Sequence, residues 1–196
     1  MSAVSMALMS RPDTALISAI ARIARTTPVE GVRIVGIDGP AGSGKSTLAE
    51  PVARTLDAPL IQVDDFVSWG DFAGWWPRFD RQVVMPLMQG RDATYQQRDW
   101  SDWRGDSLGS WRTVTWSPFV VIEGVTCTRA AVADVLACRV WVNAPPQERL
   151  ARGLARDGAE HRDLWEQWMR EEDAFFAADA TASRADVHVR AGTPEG

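Results

Sequence analysis

Along this chain the spacing of apolar residues switches repeatedly between the three-to-four step of a helix and the unbroken run of a covered strand. Residues 32–37 (Val-Arg-Ile-Val-Gly-Ile), 59–63 (Pro-Leu-Ile-Gln-Val), 119–122 (Phe-Val-Val-Ile), 139–142 (Arg-Val-Trp-Val) and 185–189 (Ala-Asp-Val-His-Val) read as strands. The continuous apolarity of 119–122 suits a central parallel strand covered on both faces. Helical patterns lie between these runs. Leu16, Ile17, Ile20 and Ile23 share one face of a helix that starts at Pro12-Asp13 and stops at Thr26-Thr27-Pro28, and Leu48, Val52 and Leu56 do the same over residues 47–56. Further helices are expected over 81–89 with a bend near Pro86, over 129–136, from Pro145-Pro146 onward, and over 164–178. Residues 66–79 read as an aromatic loop, 91–111 as an irregular excursion and 114–116 as a small strand. The first ten residues are expected to be a disordered tail ahead of one domain over 11–196. Strands alternating with helices predict a doubly wound α/β domain.

Between the strand at 32–37 and the helix at 47–56 stands Gly39-Pro40-Ala41-Gly42-Ser43-Gly44-Lys45-Ser46-Thr47, which fits the phosphate-binding loop pattern in full. Glycines at 39, 42 and 44 let the backbone turn tightly and approach a ligand without a side chain in the way. Successive N–H groups then form an anion nest at the positive end of the following helix. Lys45 would reach the β- and γ-phosphates of a triphosphate, and the Ser46 hydroxyl would ligate Mg²⁺. Lys45 is also the sole lysine of the chain, the other twenty basic residues being arginine.

Composition narrows the partners. The net charge of −5 argues against a phosphate-backbone binder, so nucleic acid is not expected. No apolar run has the length of a membrane span, and the opening residues lack the basic start and long apolar region of a signal peptide, so a cytoplasmic protein is expected. Cys127 and Cys138 have no metal-like spacing and read as buried thiols. His161 and His188 suggest no metal or catalytic pair.

A phosphate loop alone serves kinases, GTPases, motors and transport ATPases. A guanine reader of the Asn-Lys-x-Asp type is excluded because the only lysine is already in the loop. No Leu-Ser-Gly-Gly-Gln-like signature is present. What the chain offers is Asp64-Asp65 after the second strand, Glu123 after the third, and Arg149, Arg152 and Arg156 spaced to share one helical face. Phosphoryl transfer needs Mg²⁺, cations around the γ-phosphoryl and a carboxylate aimed at the acceptor hydroxyl, which this set supplies.

Over residues 32–189 the chain resembles the uridine kinase family and its phosphoribulokinase and pantothenate kinase relatives. Asp64-Asp65-Phe66 matches the family's Asp-x-Phe element, Val121-Ile122-Glu123-Gly124 its third-strand ending, and Arg149, Arg152 and Arg156-Asp157 its lid. The resemblance implies a three-layer P-loop NTPase fold with a mostly parallel five-stranded sheet in the order 2-3-1-4-5, an arginine-rich lid over about 149–162 and an acceptor-binding excursion over about 66–116. It makes Asp64 the base that takes the acceptor proton. Residues 39 and 41–47 would bind ATP, with Gly39, Ala41, Gly42, Ser43, Gly44, Lys45, Ser46 and Thr47 around the phosphates. Lys45, Arg152 and Arg156 would stabilise the transferring phosphoryl, and Glu123, Asp64 or Asp65 could hold Mg²⁺ through water.

The acceptor would meet Asp65, Phe66 and Glu123, together with Tyr95, Arg98, Asp99 and Trp100, the nearest counterparts of the family's Tyr-Asp pair. Seven of the ten tryptophans (Trp69, Trp75, Trp76, Trp100, Trp103, Trp111, Trp116) fall in this excursion. Stacking would suit a nucleoside such as uridine or cytidine. Arg78, Arg91 and Arg104 would suit an anionic acceptor such as a nucleoside monophosphate, and a nucleotide-responsive regulatory protein without catalysis is the third reading.

Overall fold

A computed structural model describes residues 4–8, 13–72, 74–102 and 107–191. Its centre is a parallel six-stranded sheet of β1 (Val4–Leu8), β2 (Arg33–Asp38), β3 (Leu60–Gln62), β6 (Phe119–Glu123), β7 (Leu136–Asn143) and β8 (Val187–Ala191), in the order β1-β8-β7-β2-β6-β3. Without β1 this is the expected 2-3-1-4-5 arrangement. β1 itself corrects the expectation of a disordered tail, because Val4–Leu8 pairs in register with Val187–Ala191. An edge strand needs only its neighbour's backbone groups to form, and backbone hydrogen bonding leaves little trace in sequence.

Neighbouring residues on each strand point to opposite faces, which builds two cores. Val35 and Ile37 of β2 and Val121 of β6 face α1 (Thr14–Thr26) and α2 (Lys45–Leu56), whose Leu16, Ile20, Leu48 and Val52 are fully buried. Ile34 of β2 and Val120 and Ile122 of β6 face the opposite layer. That layer carries Phe66, Trp75, Phe79, Tyr95, Trp168 and Phe176. Sheet and two flanking layers make the three-layer α/β architecture.

The second layer departs from expectation in several places. Helix α3 (Trp76–Phe79) runs through a π turn (Asp80–Val84) into α4 (Met85–Met88), so the bend precedes Pro86. The wide turn closes on the Met85 amide, one residue before the proline, which has no N–H to give. Residues 91–111 are not wholly irregular: β4 (Ala93–Arg98) and β5 (Leu108–Val114) pair antiparallel as a hairpin. Only Val114 of the expected small strand belongs to it. Residues 130–135 form a 3-10 run in place of an α-helix, and α5 (Pro146–Asp157) and α6 (Arg162–Asp179) lie between β7 and β8. Trp103 and Arg104 lie outside the described residues. Among the described residues no helix is long and apolar enough to cross a membrane.

Candidate active site

β2 ends on Asp38, and the loop from Gly39 leads into α2 with Gly44 as its left-handed cap. Asp38 is fully buried and anchors the loop's first turn. Its Oδ1 accepts the amides of Gly39 (2.6 Å) and Thr126 (2.8 Å), and its Oδ2 accepts the amide (2.7 Å) and hydroxyl (2.9 Å) of Thr128. Burial raises the Asp38 carboxyl, against the pull of these donors and of Lys45. Gly42 has φ +75°, and a Cβ there would meet the Arg149 carbonyl oxygen at 2.6 Å. Only glycine lets the backbone of α5 rest this closely on the loop.

Lys45 is buried and donates to the Pro40 carbonyl at 3.0 Å, curled along its own loop. The Ser46 hydroxyl donates to Glu123 Oε1 at 2.9 Å, and Gln62 Nε2 donates to the same oxygen at 3.3 Å. Burial raises the Glu123 carboxyl, with Lys45 opposing and Asp64 reinforcing. The Ser43 hydroxyl is buried with no hydrogen-bond partner among the described residues. These residues fit a triphosphate: a glycine cradle, an ammonium curled onto its own loop, a buried hydroxyl within it, and a serine paired with a carboxylate where Mg²⁺ would sit. Among the described residues no three His, Cys, Asp or Glu side chains group as a metal site. Such a cation would take most of its oxygens from phosphate and water.

Over the loop opens a cleft of about 450 Å³. Its phosphate end is lined by the loop with Arg152 and Arg156, and its other walls by Asp64, Glu123, Val67, Val125 and the rings of Trp69, Trp100, Trp165 and Trp168. Asp64 lies in the 3-10 turn (Val63–Asp65) that follows β3. Asp64 is exposed to the cleft, yet the protein mass around it raises its carboxyl, while Lys45 and Arg156 pull down and Asp65 and Asp157 push up. Arg152 donates to the Gly42 carbonyl (3.1 Å) and to Glu148 (2.7 Å). Arg156 makes a forked pair with Asp157 (2.7 and 2.9 Å), whose Oδ2 also accepts the Trp165 indole N–H at 3.0 Å. Trp165 fits because residue 153 is glycine: a Cβ there would penetrate its ring.

Several expected acceptor contacts are used elsewhere. Asp65 turns away from the cleft and anchors the hairpin, accepting Tyr95 Oη (2.9 Å), Gln97 Nε2 (3.0 Å) and, at 3.4 Å, Arg112. Tyr95 is fully buried against Phe66 and Phe66 against Phe79, so both rings belong to the core. Arg98 donates to the carbonyls of Ser107 and Asp102. Asp99 is half-buried and holds the amide and hydroxyl of Ser101. Of the four residues at 95 and 98–100, Trp100 alone lines the cleft, and its indole N–H donates to the Asp64 carbonyl at 3.2 Å. Arg149 does not share the cleft with Arg152 and Arg156. It is buried and bonds Glu172 at 2.5 Å, because the turn of α5 that carries it is pressed against the loop.

Sequence reasoning did not find Asp38, Glu172, Trp165 or Trp168. Trp165 and Trp168 did carry a signal, being three apart on one predicted helical face. For Asp38 the signal was a charge ending an otherwise apolar strand.

The parallel order with a phosphate loop after its central strand defines a P-loop protein of the α/β class. No protein-family profile matches the chain, and no curated protein matches it by sequence. Among solved structures the chain is similar to a possible uridine kinase from Bacillus stearothermophilus, with TM-score 0.66, 22% identity, and 88% of this chain and 96% of that one covered. It is likewise similar to a provisionally named fructose transport system kinase from Silicibacter sp. TM1040, with TM-score 0.62, 19% identity, and coverage of 88% and 98%. The chain thus has the fold of uridine kinase-like P-loop kinases over nearly the whole length of both.

Proposed function

We propose that this protein is a cytoplasmic, ATP- and Mg²⁺-dependent kinase that phosphorylates a hydroxyl of a neutral small molecule, in the first instance a nucleoside such as uridine or cytidine. One observation carries the reading: Lys45, Ser46, Asp64, Arg152 and Arg156 line a single cleft around the phosphate loop. The names of the two similar structures agree with a kinase acting on a small hydroxyl compound.

The loop amides and Lys45 hold the β- and γ-phosphates, and Ser46 contributes its hydroxyl to the cation. Bound Mg²⁺ neutralises phosphate charge. The acceptor hydroxyl oxygen forms the new bond to the γ-phosphorus as the bond to the β,γ-bridging oxygen breaks, and ADP takes that electron pair. Asp64 receives the hydroxyl proton. Its raised carboxyl makes it a better proton acceptor than a solvated aspartate, provided it is ionised first. Arg152 and Arg156 face the charge spreading over the transferred phosphoryl, where the planar guanidinium suits paired oxygens.

A neutral acceptor is favoured over a phosphorylated one because, unlike Arg152 and Arg156, the arginines of the excursion do not line the cleft and bond protein groups. Arg78 donates to the carbonyls of Gln96 and Asp65, Arg98 to those of Ser107 and Asp102, and Arg112 to Leu60 and Asp65. Of the tryptophans lining the cleft, Trp69 and Trp100 keep exposed area that suits a flat ring, whereas Trp165 and Trp168 are buried.

ADP release measured against a panel of nucleosides, sugars and nucleoside monophosphates tests the reading. At least one neutral alcohol should stimulate release, and Asp64→Asn should lower it by about 100-fold or more with MgATP affinity retained. No stimulation by any member, with no effect of Asp64→Asn, contradicts it.

A further inference from the structure

Glu172 is fully buried on α6, yet it takes no part in the chemistry above. Its Oε2 accepts the amide of Ala41 inside the phosphate loop at 2.8 Å, and its Oε1 accepts Arg149 Nη1 of α5 at 2.5 Å. One carboxylate therefore joins the loop to two helices distant in sequence. The same corner is closed by Arg152 Nη1 on the Gly42 carbonyl and by the Arg149 backbone against Gly42.

This placement is costly unless it serves a purpose. A negative charge bonded to a loop that receives a polyanion opposes binding, and the loop amide it engages is thereby withheld from solvent. Arg149 removes the first cost, being itself 3% exposed in its side chain and facing Glu172 with Asp173 a further 3.9 Å contact. What remains is a fixed loop. A loop amide with a buried acceptor cannot wander between turns, so the nest is shaped before the phosphates arrive.

We propose that Glu172 is a positioning residue for the phosphate loop, fixing it through the Ala41 amide, with Arg149 as the counter-charge that makes a carboxylate tolerable there. The inference rests on the reading that the loop binds a nucleoside triphosphate. A merely structural ion pair would stabilise the fold and leave phosphate affinity alone, and the two roles separate by substitution.

MgATP affinity, followed by tryptophan fluorescence at pH 8, and thermal melting are measured on each variant. Burial lifts the Glu172 carboxyl to about 7, so it is ionised at this pH. Glu172→Gln keeps an oxygen for the Ala41 amide but leaves Arg149 only its 3.9 Å contact with Asp173, so it should melt earlier and bind MgATP within about threefold of the wild type. The double variant Arg149→Met with Glu172→Met removes both charges and fills the space, so its melting should stay near the wild type. Its Ala41 amide has lost the acceptor, and MgATP should bind about tenfold more weakly. A double variant that is folded and binds MgATP like the wild type overturns the proposal. If that variant does not fold, Glu172→Asp decides: it keeps the charge for Arg149 but falls one methylene short of the loop, and affinity should drop about fivefold or more, whereas a change below twofold overturns the assignment. A wild-type protein that binds no MgATP removes the kinase reading and this inference with it.

Discussion

Asp64 and Asp65 are adjacent, and one backbone step sends them to different work. Asp64 opens into the cleft, whereas Asp65 accepts from Tyr95, Gln97 and Arg112 and pins the hairpin to the sheet. The sequence made Asp64 readable, because the aspartate two before the phenylalanine matched a known pattern. It could not make Asp65 readable, since a hairpin tied by three side chains from 30 to 47 residues away is a tertiary fact. Two predictions follow at this scale. The surrounding protein raises the cleft-exposed Asp64 against the pull of Lys45 and Arg156, with Asp65 and Asp157 reinforcing, and burial raises Glu123. A base must be ionised to act, so activity should fall as pH drops, and the fall should set in above the ordinary aspartate value of about 3.9, as one limb shared by the coupled pair. A profile of kcat/KM against pH that stays flat down to that value contradicts the assignment. The second concerns Tyr95, whose hydroxyl is bonded to Asp65 within the core. Tyr95→Phe should cost about 1–2 kcal/mol of stability in a denaturant titration while leaving turnover within a few fold. A large loss of turnover without loss of stability would return Tyr95 to the acceptor pocket.

Among the elements, α1, α2, α5 and α6 were legible but their contacts were not, and α3 and the 3-10 run over 130–135 went against the reading. The face shared by Arg149, Arg152 and Arg156 followed from spacing, but Arg149 was diverted to Glu172 because α5 packs its first turns on the loop and only its last turns face the cleft. The hairpin escaped because β4 has only Ala93 and Tyr95 as buried apolar residues, too few for a period-2 signal, and its register shifts between Gln96 and Arg98. Gly153 shows the same limit from another side. Within a helix glycine costs stability, and its reason is Trp165, which arrives from α6. Gly153→Ala gains helix propensity but forces that ring to move, and the crowding should prevail by about 1–2 kcal/mol. Because Trp165 also holds Asp157 and faces Arg156 at 5.7 Å, the same substitution should shift tryptophan emission and weaken phosphoryl transfer. Unchanged melting and emission would mean that Trp165 does not depend on this seat.

For the whole molecule, strands were readable from apolar runs such as residues 119–122, whereas their order followed from the resemblance to the uridine kinase family. The phosphate end was readable because its chemistry is local: nine consecutive residues hold the cradle, the ammonium and the hydroxyl. The acceptor end was not, because its walls come from the segment after β3, from the hairpin region and from α6, and meet only on folding. Trp69 illustrates this, packing edge-on against Trp165 and Trp168 across almost a hundred residues of chain. The central claim is that this cleft passes a phosphoryl group from ATP to a neutral hydroxyl, with Asp64 taking the proton. It is tested most directly by following transfer of the γ-phosphoryl to uridine and cytidine in wild-type protein and in Asp64→Asn. A phosphorylated nucleoside formed at a rate that falls by about 100-fold in the variant, with MgATP still bound by both, is the predicted result. MgATP bound equally by both proteins with no phosphorylated nucleoside formed by either is the result that would contradict it.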